Sequence, residues 1–275
     1  MIKEMPMKKS VILLSLFLLG GCQAEQPEER IISLMPSNTE ILYEMGLGKE
    51  VVGVTTNDDF PKDVKTKEQF DSFNLNKEQL LRAKPSVIVT HESARASQQK
   101  VLDSLKDKGV KIVYIKEAKK LDEIDDTVMQ IAEAVGHEKE GEKLADRIEQ
   151  ETAAVLKKYD HLPDKKVFIE VSSEPDIYTA GQHTMLDDML TQLKVTNTFH
   201  DIEGWQPVAL ETVVRRKPDI MLSVTGAKAE DYARLVKERP GLKSVKTDTL
   251  NDDWMTRPGP RIAKGLEELA QALED

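Results

Sequence analysis

The sequence predicts an α/β protein of two lobes, with mostly parallel sheets joined by one long rigid linker helix. Three observations support this prediction. Short β-branched runs alternate with helical patterns, which is typical of parallel sheets covered by helices on both faces. The segments "EQLLRAKPSVIV" (78–89) and "ETVVRRKPDIML" (211–222) repeat Glu, Arg, Lys and Pro in one register. Between them, residues 138–162 carry a charged helical pattern with one apolar stripe.

Residues 30–137 are predicted to form the N-terminal α/β lobe. Strands are expected at 30–36, 51–56, 86–90 and 111–117, with helical patterns between them. The first helix is expected to start at a capping box in Ser37–Glu40, in which a Ser or Thr N-cap pairs with a glutamate of the first turn. Lys84-Pro85 is expected to end a later helix, because proline disfavours helical backbone in the residue before it.

Residues 163–275 are predicted to form the C-terminal α/β lobe, because the strand–helix order restarts at Lys165–Ser172. Two further strands are expected at 219–225 and 244–250, and the last helix from Ile262. The linker helix, residues 138–162, is stopped by Pro163. A helix of roughly 23 residues would be about 35 Å long, which suits a strut between two lobes.

Residues 1–21 are predicted to be a signal peptide, because three lysines precede the short apolar run "VILLSLFLL" (11–19). A spanning helix needs about 20 apolar residues. "LGGC" then matches a bacterial lipobox, so Cys22 is the predicted lipidation site and residues 22–29 the lipidated tether. Cys22 is the only cysteine, which excludes a disulfide within one molecule. We expect a lipid-anchored protein on the extracytoplasmic face of the cell membrane; the alternative is a free thiol behind an ordinary signal.

Charge and motifs exclude several classes of protein. The formal net charge is −10, and −12 without residues 1–21, whereas nucleic-acid binders carry basic patches. The sequence contains no GxxxxGK[ST] and no GxGxxG after a strand. Its five histidines show neither HxxxH nor HExxH spacing. We therefore predict no catalytic residue, no metal site, no cofactor and no nucleic-acid partner.

Five stretches carry a resemblance to a known family: "RIISLMPSNTEILYEMGLGKEVVGVT", "LLRAKPSVIV", "YTAGQHT", "VVRRKPDIML" and "DDWMTRPGPRI". Together they resemble the substrate-binding lipoproteins of ABC importers for cobalamin, haem and ferric siderophores, and the cobalamin-binding members most of all. The similarity covers nearly everything after the tether. It implies a class III periplasmic-binding-protein fold, a monomer without enzymatic activity, and an ABC permease dimer with its ATPase subunits as partner.

The same resemblance implies one surface glutamate per lobe that docks onto arginines of the two permease subunits. Glu78 and Glu211, which open the two repeated segments, match these positions. A carboxylate–guanidinium contact is charge-assisted and can be bidentate. From the residues alone, a glutamate in the first turn of a helix could equally serve the helix dipole, and this alternative stays open.

The resemblance also implies ligand contacts in the cleft between the lobes. The matching residues are Phe60, Phe73, Trp205, Asp253, Trp254 and Arg257. Trp and Phe supply broad apolar faces with few rotatable bonds, which suits a flat macrocycle. Phe73 lies one residue nearer to its docking glutamate than the family's tryptophan does. The alternative is that the two tryptophans, which are expected in loops, pack the lobes instead.

The resemblance therefore predicts capture without chemistry: the protein binds cobalamin or a related corrinoid between its lobes and delivers it to the permease. Two alternatives remain open. One is haem or a ferric siderophore as the ligand of the same kind of importer. The other, more remote, is a surface enzyme of the chelatase type that acts on a tetrapyrrole.

Overall fold

The computed structural model describes residues 29–274 and contains a five-stranded sheet in the N-terminal half. Its strands are β1 (Ile31–Ser33), β2 (Val51–Thr55), β3 (Glu68–Phe70), β4 (Val87–His91) and β5 (Lys111–Ile115). They pair in the order β3-β2-β1-β4-β5, and every pair is parallel. The surrounding helices are α1 (Pro36–Glu44), α2 (Lys77–Arg82), α3 (Arg95–Lys106) and α4 (Ile124–Val135). All of β4 is buried, as expected for a strand covered on both faces.

A single helix of 21 residues, α5 (Glu138–Lys158), connects the two halves of the chain. At 1.5 Å per residue it is about 32 Å long. Its buried side chains, which include Leu144 and Ile148, pack on α4 and on the C-terminal helix. Its first turn carries Glu138, and its last turn ends in lysines, an order that complements the helix dipole.

The second sheet lies in the C-terminal half and mixes parallel and antiparallel pairs. Its strands are β6 (Lys166–Ser172), β7 (Tyr178–Ala180), β8 (Thr196–Asn197), β9 (Trp205–Pro207), β10 (Ile220–Ser223) and β11 (Lys246–Thr249). Strands β11, β10 and β6 pair in parallel, and β8 is a further parallel partner of β6. On the other side of β6, β7 pairs antiparallel with β6 and β9 pairs antiparallel with β7. The helices are α6 (Met185–Gln192), α7 (Leu210–Arg216), α8 (Ala229–Glu238), α9 (Asp252–Thr256) and α10 (Ile262–Glu274). The prediction of two α/β lobes with parallel-rich sheets and a long connecting helix is confirmed.

One cluster of buried apolar side chains runs through both lobes and the helix between them. It includes Ile31 of β1, Val89 of β4, Ile148 of α5 and Ile169 of β6. Neighbouring strand residues point to opposite faces of a sheet, and Ile88 accordingly belongs to a second cluster confined to the N-terminal lobe. The two lobes therefore share part of their interior.

The two repeated segments form the same helix-to-strand joint. In each, the lysine before the proline adopts left-handed backbone, with φ of 48° at Lys84 and 51° at Lys217. The prolines that follow, Pro85 and Pro218, are both buried. The sequence predicts that a turn ends the helix here, and the structure adds that the turn uses a conformation in which residues other than glycine are strained.

The residue after each proline ties the joint to the first strand of its own lobe. The Ser86 hydroxyl accepts a hydrogen bond from the Arg30 backbone N–H at 2.9 Å. The Asp219 carboxylate accepts one from the Lys166 backbone N–H at 2.8 Å. Equivalent side chains thus satisfy equivalent backbone donors in both lobes, which explains why a polar residue follows the proline each time.

The predicted capping box at Ser37–Glu40 is wrong. Helix α1 begins at Pro36, and its N-cap, Met35, lies two residues before the predicted N-cap Ser37 and makes no side-chain capping bond. Proline suits the first helical position because it lacks the N–H that would be unsatisfied there and its φ is already helical. The Glu40 side chain is consequently released from the backbone and takes part in the ion cluster described below.

No helix within residues 29–274 is both long and apolar enough to cross a membrane. The predicted signal peptide and Cys22 lie outside the described residues.

Candidate functional site

A cavity of about 270 Å³ lies between the two lobes. Its N-terminal wall includes Ser93 and Glu117, which follow the carboxyl ends of β4 and β5. Ligands of α/β proteins commonly bind at this edge of a parallel sheet. Its C-terminal wall includes His183, Trp205 and Thr256. The cavity therefore combines an aromatic face with several ionisable groups.

The structure brings one of the six predicted ligand residues, Trp205, to this cavity. Its side chain is 45% exposed. It opens β9 rather than lying in a loop, and it is held there by antiparallel pairing with Ala180 of β7. A large indole left half in solvent on a sheet edge is available for contact with a ligand.

Phe73 is the most exposed large apolar residue of the described chain, at 87%, and it does not line the cavity. It lies in the loop between β3 and α2, where its backbone N–H donates to Asp71 at 2.9 Å. Trp254 is half-buried on α9, so the prediction that it lies in a loop is wrong. Its backbone carbonyl lies so close to Gly265 that a Cβ there would approach it to 2.6 Å. The N-cap residue of α9, Asn251, is the sequence signal that could have indicated this helix.

The other predicted residues lie in or against an ion cluster that joins the lobes, in which Glu40 and Arg261 are buried and Asp59 is exposed. Arg261 donates to Glu40 through two bonds, Nε to Oε2 at 2.7 Å and Nη2 to Oε1 at 2.5 Å. Arg257 donates to Glu40 at 3.1 Å and to Asp59 at 2.6 Å, and its Nη2 lies 2.7 Å from Asp253. Glu40 and Asp59 belong to the N-terminal lobe, and the arginines and Asp253 to the C-terminal lobe. Sequence patterns did not indicate that Glu40 pairs with these two arginines, because they lie more than two hundred positions further along the chain.

The pKa values of the ionisable groups in this cluster are shifted in different directions. Burial works against the charge of Asp59, but hydrogen bonding and attraction from Arg257 outweigh it and hold the Asp59 pKa below its usual range. Burial raises the pKa of Asp253 despite the opposing charge of Arg257. Burial also opposes the charge of Arg257, but its bonds to Asp59 and Glu40 raise its pKa. Arg257 is thus committed to carboxylates of its own chain, although its neighbour Thr256 lines the cavity.

Phe60 packs against the same cluster. The guanidinium carbon of Arg261 lies 4.3 Å from the centroid of the Phe60 ring, within the range of a cation–π contact. Its ring is half-buried by this contact. In this structure Phe60 therefore supports the contact between the lobes.

Glu78 and Glu211 occupy the same position, the second residue of α2 and of α7. Both side chains are exposed, and neither forms an ion pair with another residue of the described range. Two residues further on, Leu80 and Val213 are buried and anchor the helices. Each lobe thus presents one unpaired carboxylate on a helix whose other face is fixed in the core.

All five histidines have a ring nitrogen within 4.0 Å of an acidic side chain, and one of the five lines the cavity. His183 lines the cavity, and its Nδ1 lies 2.9 Å from Glu203. His91 is buried, and its Nε2 lies 3.8 Å from Glu117. His200 bonds to Asp187 outside the cavity. Within residues 29–274 no group of three or more His, Cys, Asp or Glu could hold a metal ion.

Comparisons with known proteins identify the family. A model of the family described as "Periplasmic binding protein" matches residues 31–248. An uncharacterized ABC transporter substrate-binding lipoprotein of Bacillus subtilis (strain 168) is 37% identical, over 89% of this chain and 80% of its own length.

Two solved structures share the fold and a substantial part of the sequence. A possible iron-binding (periplasmic solute-binding) protein of Staphylococcus epidermidis ATCC 12228 is 45% identical, with a TM-score of 0.82 over 90% of this chain and 99% of that one. The periplasmic vitamin B12 binding protein of Vibrio cholerae is 26% identical, with a TM-score of 0.73 over 90% and 97% of the two chains. The chain therefore belongs to the periplasmic binding protein family, and it is a substrate-binding protein of an ABC importer rather than an enzyme.

Proposed function

We propose that the protein binds cobalamin or a related corrinoid in the cleft between its lobes and delivers it to an ABC permease. The observation that carries this proposal is the interlobe cavity with the exposed indole of Trp205 in its wall. An aromatic face suits a flat macrocycle. The similarity to a vitamin B12 binding protein over 90% of the chain supports the same ligand class. The volume of the cavity is smaller than the roughly 300–1,000 Å³ of typical ligand pockets. A corrinoid would therefore fill it with one edge and extend from its mouth.

A ferric compound or haem is the second candidate ligand. The Staphylococcus epidermidis relative, which is 45% identical, is described as a possible iron-binding protein, and this favours iron. Lys119 of the cavity wall offers a cation for a carboxylate of a siderophore or a haem propionate.

A titration of the purified protein with cyanocobalamin, haemin and a ferric siderophore distinguishes the two ligand classes. We expect cyanocobalamin to bind and to raise the melting temperature. Trp205→Ala should weaken this binding at least tenfold, whereas Trp205→Phe, which keeps an aromatic face, should lose less. Binding of haemin or the siderophore but not of cyanocobalamin would overturn the corrinoid assignment in favour of the second candidate.

We further propose that Glu78 and Glu211 are the docking residues for the permease, one for each subunit. Exposed charges of this kind set orientation and encounter rate as much as affinity. The double variant Glu78→Ala with Glu211→Ala should abolish uptake into cells while the affinity for the ligand stays unchanged.

The chain offers a matched control for this test. Glu138 and Glu230 are also exposed glutamates in the first turns of helices, α5 and α8. The double variant Glu138→Ala with Glu230→Ala removes the same charge and the same favourable contact with helix dipoles. Uptake should be retained. Equal loss in both double variants would show that the overall charge, not the docking position, is required.

Lipidation of Cys22 is the third part of the proposal, supported by the lipoprotein relative of Bacillus subtilis. A lipid anchor would keep the binding protein near the permease and so raise its effective concentration. The Cys22→Ser variant should appear in the culture medium instead of the membrane fraction, and membrane retention would contradict the prediction.

A further inference from the structure

The repeated segments share an arginine as well as a glutamate. Arg82 follows Glu78 by four positions in "EQLLR", and Arg215 follows Glu211 by four positions in "ETVVR". Residues at this spacing lie on one face of a helix, with their Cβ atoms about 5–6 Å apart. Both arginines are exposed and belong to the last turns of α2 and α7. Each lobe therefore carries the same two opposite charges, one helical turn apart.

Arg82 and Arg215 differ from every other arginine of the described residues. Seven others pair with a carboxylate of this chain, and Arg30 donates to backbone carbonyls. Within residues 29–274, Arg82 and Arg215 have neither kind of partner. The one hydrogen bond of Arg215 goes to the hydroxyl of Thr212, at 3.2 Å. The two guanidinium groups without a carboxylate or carbonyl partner are thus the two at the repeated position.

Arg216, the neighbour of Arg215, shows how an arginine with a structural role is held in this lobe. Its Nη2 donates to Asp201 at 2.9 Å, and its guanidinium carbon lies 4.1 Å from the centroid of the Phe199 ring. Arg215 makes neither contact. The packing of the lobe therefore does not account for a guanidinium at the position of Arg215.

The glutamates do not pair with these arginines within their own helices. A glutamate four residues before an arginine is the favourable order for an ion pair within a helix, yet the structure contains neither pair. Two residues after each glutamate, Leu80 and Val213 are buried. Both charges of each helix therefore lie on the face opposite the core.

We propose that Arg82 and Arg215 are further docking residues, and that each binds a carboxylate of the permease subunit that contacts the neighbouring glutamate. The inference rests on the docking role proposed for Glu78 and Glu211. The partner surface has a guanidinium and a carboxylate about one helical turn apart, once on each of the two subunits. Arginine suits this contact because its planar fork can bind a carboxylate through two bonds.

The second charge in each lobe has a consequence for docking. A single charge fixes only a point of contact. Two opposite charges also fix the direction of the contact, because a reversed orientation would place like charges together. The same order of charges in both lobes suits two subunits that present the same surface.

The test measures the binding of the purified protein, free of ligand, to the permease complex in lipid nanodiscs. Its outcome therefore does not depend on which ligand is transported. Arg82→Ala with Arg215→Ala should weaken binding at least about tenfold, because two charge-assisted contacts are lost. Arg82→Lys with Arg215→Lys keeps the charge but not the planar fork, and it should lose less.

Lys106 and Lys237 provide the matched control. They are exposed cations in the last turns of α3 and α8, one in each lobe. Lys106→Ala with Lys237→Ala removes the same charge and the same favourable contact with helix dipoles, and binding should stay within about twofold.

The docking glutamates separate the two ways in which the test could fail. If the arginine variant binds no worse than the lysine control, while Glu78→Ala with Glu211→Ala loses binding, the inference is overturned and docking through the glutamates stands. If the glutamate variant binds normally, the docking proposal itself fails, and the inference fails with it.

Discussion

Glu40 and Arg261 form a two-point ion pair between the lobes, and both are almost completely buried, at 2% and 9% exposure. The pair joins the first helix of the N-terminal lobe to the turn before the last helix of the chain. Arg257 shares the same carboxylate. A contact of this kind specifies one relative placement of the two lobes, because any displacement would leave buried charges without partners.

Loss of the Glu40 charge should destabilise the protein strongly. Glu40→Gln leaves the buried guanidinium of Arg261 without its main counter-charge, which typically costs about 3–5 kcal/mol. Glu44 is on the same helix and pairs with Arg147 at 2.6 Å, but in an exposed position. Glu44→Gln should therefore cost at most about 1 kcal/mol. Urea denaturation at pH 7 measures the free energy of unfolding of both variants. Similar losses of stability in the two would contradict the role of burial.

Neighbouring aspartates should give opposite pH dependence. Burial raises the pKa of Asp58, so its contribution to stability is present below about pH 3.9 and is lost as the pH rises through its pKa in the folded protein. The Asp59 pKa is lowered, burial being outweighed by Arg257, so its contribution is present above about pH 3.9 and is lost as the pH falls through the folded pKa.

Urea denaturation of Asp58→Asn and Asp59→Asn over a pH series tests these signs. The free energy of unfolding of the unaltered protein, relative to Asp58→Asn, should fall with rising pH. Relative to Asp59→Asn it should rise. If both differences in the free energy of unfolding changed in the same direction with pH, the environments of Asp58 and Asp59 would not differ as described.

The lysines of the repeated joints should be replaceable by glycine without loss of stability. Left-handed backbone costs a lysine roughly 1–2 kcal/mol, and glycine avoids this while losing about 0.5–1 kcal/mol of chain entropy. Lys84→Gly and Lys217→Gly should thus be neutral or stabilising by up to about 1.5 kcal/mol. Lys143→Gly, at an exposed position within α5, should instead cost about 1 kcal/mol. Equal destabilisation at all three sites would argue against strain at the joints.

Gly181 should not tolerate even a methyl group. A Cβ at this position would lie 2.2 Å from a backbone carbonyl, which cannot move as a side chain can. Gly181→Ala should therefore destabilise the protein by about 1–3 kcal/mol and weaken ligand binding, because the adjacent wall holds His183 and Trp205. At Gly259 the nearest atom would be 3.6 Å away, an ordinary contact, so Gly259→Ala should fold normally. Thermal melting and a ligand titration compare the two.

Local patterns in the sequence predict most of the fold, because hydrophobic periodicity and Lys-Pro turns act over a few residues. They locate both lobes and the connecting helix, whereas the exposed positions of Glu78 and Glu211 follow from the family resemblance. They fail where two local signals compete: Pro36 takes the first helical position, so the capping motif at Ser37 does not form. They also fail where the partner is distant, since nothing near Glu40 indicates Arg261.

The candidate site was predictable only in part, because several of its contacts join residues that are far apart in the sequence. Trp205 is identified through the family resemblance, and the structure does bring it to the cavity. The position of Glu117 in the cavity wall could have been inferred, because it follows the carboxyl end of a parallel strand. The engagement of Arg257 by carboxylates of its own chain could not, because it depends on how the lobes meet.

The apolar cluster that continues from Ile31 through Ile148 to Ile169 has a thermodynamic consequence. Unfolding of either lobe would expose the half of this cluster that belongs to the other, so neither should melt alone. A calorimetric scan should show one cooperative transition instead of two. A chimaera that takes one lobe from a relative would replace half of this shared interior. The two lobes of this protein are therefore expected to be inherited, and engineered, only as a unit.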